Sequence, residues 1–183
     1  HSTVESREPS HLNRLASGYE LLEEIGRGGM GIVYRARQPG LNRIVAFKQL
    51  LNGLDSTASR FTRFRREAHT LATIRHPNIV EVYDVSDPEE PERYLVVELV
   101  RGVTLRDRLR EGPLPPEVAA AVAIEVGAAL EHAHRQGVIH RDVKPENVML
   151  CRRGEDDVVK LLDFGLVKNL ERADTRDITK QLK

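Results

Sequence analysis

The chain of 183 residues holds a single cysteine, Cys151. A disulfide framework is therefore excluded, and a reducing compartment, the cytoplasm, is the simplest home. Cys151 falls inside an apolar run, where it reads as a small buried hydrophobe. Net charge is lacking as well, because 28 Lys and Arg balance 28 Asp and Glu. Without a basic excess there is no electrostatic case for a nucleic-acid partner. No apolar run is long enough to span a bilayer, so no membrane segment is expected within this chain. No secretory leader pattern is visible, and a start at His1 rather than Met reads as an excerpt. His132, His134 and His140 follow no zinc-ligand spacing and read as packing and surface histidines. What remains is 40% hydrophobic and 31% charged residues, a composition that suits one globular domain or two small lobes. Arg60, Arg63, Arg65 and Arg66 cluster locally and read as the solvated side of a helix.

The chemistry concentrates between His140 and Gly165. Asp142, Lys144 and Asn147 lie close together, and Asp163 follows after two apolar runs. An acid can orient a hydroxyl, a lysine can hold a phosphate, and an Asn with an Asp can hold a divalent cation. The apolar runs Asn147–Cys151 and Val158–Leu162 are joined by a charged turn, the pattern of a β-hairpin. Such a hairpin returns Asp163 to the neighbourhood of Asn147.

The first hundred residues supply a complementary half. Residues 1–17 are polar and read as a flexible lead-in. Tyr19–Ile25 suits a strand, and the pattern GxGxxGxV follows, with Gly26, Gly28 and Gly31 in the glycine positions. That pattern alone is weak. A dinucleotide-binding version should run into a helix, whereas Ile32–Arg37 alternates as a strand. A strand–glycine–strand tip lets backbone N–H groups approach phosphate oxygens. Arg43–Leu50 reads as a third strand, in which Lys48 follows the apolar run Ile44–Phe47; an outward lysine is the ordinary case there, and an inward one needs a partner. Glu67 is available: Phe64, Ala68, Leu71 and Ile74 mark a helix, and Glu67 sits at the edge of that stripe. Ser56, Thr57 and Ser59 are its capping candidates. Ile79–Val85 and Arg93–Val100 add two strands, making five with one helix, an α+β lobe. Arg101–Gly102 reads as a hinge, Thr104–Arg110 as a short helix, and Glu117–Arg135 as a longer, largely buried one.

Together these residues resemble a known family. GRGGMGIV, VAFK, RFRREAHTL, HPNIV, VVELVRGVTL, HRDVKPEN and DFG occur in the order of the eukaryotic-like (Hanks-type) serine/threonine protein kinases, bacterial branch, over about residues 19–168. The resemblance implies a two-lobe fold: an N-lobe at 18–100, a partial and mostly helical C-lobe at 101–168, and the start of an activation loop at 169–183. It implies ATP and Mg²⁺ as cofactors and protein Ser/Thr hydroxyls as substrates. Asp142 would then be the catalytic base, Lys144 would steady the γ-phosphate, and Asn147 and Asp163 would hold the metal. Lys48 would bind the α- and β-phosphates and pair with Glu67, beneath Gly26, Gly28 and Gly31. Ile25, Val33, Ala46 and Met149 would sandwich adenine. Backbone groups of Glu98 and Val100 would read its edge, and Val97 would guard the pocket behind. Leu71, Val82, His140 and Phe164 would stack as a spine. Arg141 would pair with a phosphate on the activation loop, at Thr179 or Thr175.

The family's APE motif and later helices do not occur within these 183 residues. The resemblance therefore implies Mg-ATP binding, with weak or no phosphotransfer by the isolated chain. The alternatives are a truncated, pseudokinase-like nucleotide-binding or scaffolding module, and an interaction domain that ignores nucleotide.

Overall fold

The computed structural model describes residues 14–16, 18–29, 31–50, 58–90, 92–153 and 156–164. One antiparallel sheet comprises β1 (Arg14–Ala16), β2 (Tyr19–Gly28), β3 (Gly31–Gln38), β4 (Arg43–Leu50), β5 (Val82–Val85) and β6 (Tyr94–Glu98), ordered β1-β2-β3-β4-β6-β5. The sheet has six strands, not five. Arg14–Ala16, expected in the lead-in, pairs with Tyr19–Leu21 at the sheet edge, where backbone groups of β2 offer a ready ladder. The helix α1 (Ala58–Thr73) crosses one face. Its Phe61, Phe64, Ala68 and Leu71 are buried at helical spacing, together with Leu50, Val82, Val85 and Leu95. Ser56 and Thr57 lie outside the described residues, and Ser59 falls within α1 rather than ahead of it. Arg65 leaves the solvated role expected of it and bonds Asp87 at 2.6 Å.

The other face carries a second core of Tyr19, Leu21, Tyr34, Ala36, Val45, Phe47, Tyr94 and Val96. Phe47 stacks on Tyr94 at 4.8 Å between centroids, and Tyr19 closes the trio 5.5 Å from Phe47. Alternation along β4 therefore sends Val45 and Phe47 to this core and Ala46 and Lys48 to the opposite face.

The second lobe contains β7 (Gly102–Thr104), α2 (Leu105–Arg110), α3 (Pro116–Arg135), β8 (Val148–Arg153) and β9 (Asp156–Leu161), with β7-β8-β9 as a small antiparallel sheet. The hinge reading at Gly102 gives way to strand pairing: a Cβ there would lie 2.2 Å from the Leu150 carbonyl, so glycine is needed for the close approach of β7 to β8. Thr104 caps α2 by accepting the Asp107 N–H at 3.0 Å.

The low charge of α3 predicts a largely buried helix, but the structure buries mainly one side of it. Ala129 and Ala133 are fully buried, Val122, Val126 and Leu130 partly so, and Ile124 is 70% exposed. Low charge permits burial without supplying a covering element, and β9 lies along one side of the helix only.

The lobes join through the segment after α1. Strand β5 begins at Val82 rather than Ile79, because Ile79 bridges in parallel to Leu161 in the second lobe. Val80 N–H donates to Leu161 O (3.1 Å) and Leu161 N–H to Asn78 O (2.8 Å). The buried Asn78 amide donates to Glu125 Oε2 on α3 (2.6 Å) and to Val159 O (2.8 Å). The same Glu125 oxygen accepts the Val159 N–H at 3.0 Å.

Candidate active site

The hairpin predicted from the two apolar runs forms, with Val148 opposite Leu161 and Arg153 opposite Asp156. Leu162 N–H extends it by donating to Asn147 O at 2.8 Å, which brings Asp163 next to Asn147. Ahead of β8, Pro145–Asn147 makes one 3₁₀ turn, and Asn147 is buried there. Its amide donates to Asp142 O at 2.8 Å and to Asp142 Oδ2 at 3.2 Å. Lys144 Nζ stands 2.9 Å from the same Asp142 Oδ2. Its hydrogen bond to Asp142 raises the Lys144 pKa and keeps the ammonium charged.

His140 orients this loop from below. Its Nδ1 accepts the Asp142 N–H at 3.2 Å, so Nε2 carries the proton and donates to Leu162 O at 2.7 Å. Burial lowers the His140 pKa, partly offset by the bond to Leu162, and the ring is held neutral. It packs on Phe164 at 4.5 Å, with Leu71 and Val82 also buried. Arg141 (φ 63°) and Asp163 (φ 44°) both hold left-handed backbone, a conformation a non-glycine residue adopts only where its surroundings enforce it.

Above the loop lies a cleft of about 540 Å³ between the lobes. Ile25, Val33, Ala46 and Met149 line it, with Val97 toward the rear. Behind Val97 the cavity continues to Leu71, Val82 and Leu95. Glu98 N–H donates to Glu81 O at 2.8 Å, whereas Val100 lies past the end of β6, outside the ladder. Gly28 and Gly31 face each other across the β2–β3 tip. The glycines differ in what they require. A Cβ at Gly31 would sit 2.2 Å from Gln49 O, so the fold itself excludes a side chain there. A Cβ at Gly28 would meet nothing within 4 Å, and one at Gly26 only Val33 Cβ at 3.9 Å. The open space over those two suits an outside group approaching the backbone.

Lys48 enters the cleft, but its ion pair differs from the one expected. Nζ lies 2.7 Å from Asp163 Oδ2, with the lysine 12% exposed and the aspartate 50%. Glu67 instead faces Arg141, Oε1 to Nη1 3.5 Å. The left-handed turn at Asp163 carries its carboxylate to the ammonium, while Arg141 from the loop reaches the edge of α1. Thr175 and Thr179 lie outside the described residues.

The donor set fits a hard divalent cation. With its NH₂ engaged by Asp142, Asn147 presents its carbonyl oxygen, and Asp163 presents a carboxylate, both oxygen ligands of the kind Mg²⁺ takes alongside phosphate. Sequence reasoning missed Leu162 as the acceptor for His140, and Glu125 as the anchor of Asn78. Neither has a local signal, since each contact spans at least 22 positions.

Residues 19–182 match the profile of the protein kinase domain. The chain belongs to the protein kinase family. It is 44% identical over 158 residues to a probable serine/threonine-protein kinase of Clostridium perfringens, covering 86% of this chain and 22% of that protein. It is 44% identical over 164 residues to the serine/threonine-protein kinase PknB of Mycobacterium tuberculosis, covering 87% of this chain and 25% of the relative. The crystal structure of the Mycobacterium tuberculosis PknI kinase domain superposes with a TM-score of 0.75 at 30% identity, over 85% of this chain and 62% of that one. The chain thus spans about a quarter of the length of these curated relatives and under two thirds of a solved kinase domain. The HRDVKPEN motif lies immediately ahead of β8, and Asp163 of DFG lies just past the end of β9.

Proposed function

We propose that this chain is the nucleotide-binding and catalytic-loop part of a serine/threonine protein kinase that moves the γ-phosphate of Mg-ATP to protein Ser/Thr hydroxyls. The observation that carries the reading is the convergence of Asp142, Lys144, Asn147, Asp163 and Lys48 on one cleft beneath a glycine hairpin.

Asp142 accepts from both Lys144 and Asn147, which fixes its carboxylate rotamer. So held, it orients a substrate hydroxyl and receives its proton at Oδ. Lys144, held charged 2.9 Å away, offsets negative charge on the transferring group. Asn147 and Asp163 would hold Mg²⁺, which supplies charge neutralisation for the phosphates. Lys48 pairs now with Asp163 and would bridge to phosphate oxygens as well. Ile25, Val33, Ala46 and Met149 exclude water around the adenine, and the backbone at Glu98 and Val100 reads its edge. The hydroxyl of Thr179, or secondly Thr175, is the activation-loop phosphoacceptor; its phosphate would draw Arg141 from Glu67 and release Glu67 toward Lys48. The reduced single cysteine fits a cytoplasmic kinase domain, and no helix among the described residues is long and apolar enough to cross a membrane.

The test has two arms. Mg-ATP at about 100 times its Kd should stabilise the 183-residue chain by about 2.7 kcal/mol, read as a raised melting temperature. No shift at millimolar Mg-ATP would sink the nucleotide reading. In the full-length protein, Asp142→Asn should keep that shift while phosphate transfer to Ser/Thr peptides falls by about 10² to 10⁴. Unchanged transfer would remove Asp142 from its role.

A further inference from the structure

Behind the segment that forms the rear wall of the nucleotide cleft lies a second cavity of about 640 Å³, within the size range of small-molecule sites. Leu99, Val100 and Arg101 line both cavities, so this segment is a partition with a face toward each. None of Asp142, Lys144, Asn147 or Asp163 reaches the rear one.

Its wall carries three permanent cations, Arg75, Arg101 and Lys160, against two carboxylates, Glu81 and Glu98. The carboxylates are already engaged. Glu98 Oε2 accepts from Lys160 Nζ at 2.8 Å and from the Glu81 N–H at 3.3 Å. Glu81 Oε1 lies 4.0 Å from Arg75 Nη1. Two donors remain without a protein acceptor among the described residues. One is the Arg101 guanidinium. The other is His76: its Nδ1 accepts the Asn78 N–H at 3.2 Å, so its proton sits on Nε2. Burial lowers the His76 pKa, and the neighbouring His132 and Lys160 lower it further. Pro77, Tyr83 and Val158 supply apolar surface between these donors, and Cys151 adds a thiol to the same wall. Donors in excess, acceptors engaged and an apolar floor together describe the complement of an amphipathic anion.

We propose that this rear cavity is a second ligand site, selective for a small anion, a carboxylate or phosphate monoester, carried on a compact apolar body. Its occupant touches the 98–101 segment from the side opposite the nucleotide.

Cys151 makes the proposal measurable, because it is the chain's single cysteine. A methanethiosulfonate reagent is attacked at sulfur by the thiolate; a disulfide forms and a sulfinate leaves. The rate of the anionic 2-sulfonatoethyl reagent is divided by that of the cationic trimethylammonioethyl reagent at one pH. This ratio is compared with the same ratio for N-acetylcysteine amide. The folded chain should exceed the free thiol by about threefold or more, the order expected for one net charge several ångströms away in a wet site. Arg75→Glu, on an exposed side chain outside the nucleotide cleft, should bring the ratio to or below the free-thiol value. Phenyl phosphate and benzoate should slow modification, while benzyl alcohol should not; whichever anion protects at lower concentration assigns the headgroup. A ratio at or below the free thiol's overturns the site. So does equal protection by benzyl alcohol, which would mean an apolar hole. So does failure of the folded chain to react where the urea-unfolded chain does, which would mean a closed cavity. The readout uses no nucleotide, so it stands or falls separately from the kinase reading.

Discussion

Lys48 and Glu67 are 19 positions apart in sequence and stand on facing elements, yet each holds a different partner. A lysine ammonium is a compact point charge and pairs with whichever carboxylate the backbone delivers. Here the backbone delivers Asp163. Because Asp163 is half exposed, the pair contributes little to stability, and its value lies in placing a cation within the cleft. Lys48→Met should therefore leave the unfolding free energy within about 0.5 kcal/mol while weakening Mg-ATP binding tenfold or more, read by calorimetric titration. Unaltered affinity would return Lys48 to the status of an ordinary strand lysine. His140 illustrates a different residue-scale effect. Its folded pKa lies below the ordinary 6.5 because the ring is buried. Above pH 6.5 neither folded nor unfolded chain protonates it. As pH falls below 6.5 the unfolded chain takes up a proton first, so stability is lost until pH passes the folded pKa. Urea unfolding should show this decline, and His140→Gln should flatten it. His76 shifts in the same direction, so the slope difference between parent and variant isolates His140. An identical slope in the variant would rule out the buried neutral imidazole. The residue types in HRDVKPEN and DFG were legible in sequence because their chemistry is carried by identity and short spacing. Their pairings were not, since an ion pair depends on which carboxylate arrives.

At the scale of elements, the glycine tip separates two reasons for glycine that a sequence pattern merges. Gly31 is required by the fold, through Gln49 O; Gly28 has no such neighbour. Gly31→Ala should cost about 1–3 kcal/mol of stability, with the register of β3 on β4 disturbed. Gly28→Ala should leave the melting temperature of the ligand-free chain nearly unchanged and weaken its response to Mg-ATP. Equal destabilisation by both would refute the distinction. The hairpin β8–β9 and the helix α1 were legible because period 2 and period 3.6 are local properties. The sixth strand was not: Arg14–Ala16 carries no strand pattern of its own and is strand because β2 presents an edge. The burial of α3 was over-read for the matching reason, since an uncharged helix needs a partner before it is covered.

At the scale of the whole molecule, a polar knot around Glu125 helps tie the two lobes. Glu125 Oε2 accepts from Asn78 and from Val159, so a residue of α3 holds the segment leading into β5 and the strand leading to Asp163. Glu125→Ala would leave one N–H of the buried Asn78 amide and the Val159 backbone N–H without their acceptor, at about 1–3 kcal/mol each. It should lower the urea midpoint clearly, and Glu125→Gln, which keeps an acceptor oxygen, should recover most of the loss. Full stability of the alanine variant would show that the other contacts between the lobes suffice without Glu125.

The order and identity of the chemical groups were determined by sequence alone. Glycines at a strand-to-strand tip, a lysine in a strand, an acid–lysine–asparagine loop and a second aspartate past a hairpin are all local statements, and local physics suffices for them. Which groups meet was decided only by tertiary structure. Lys48 with Asp163, Arg141 with Glu67, His140 with Leu162 and Asn78 with Glu125 join positions 22 to 115 apart. Side-chain charges and hydrogen bonds act over a few ångströms, so such pairings exist only once folding has brought these distant segments together.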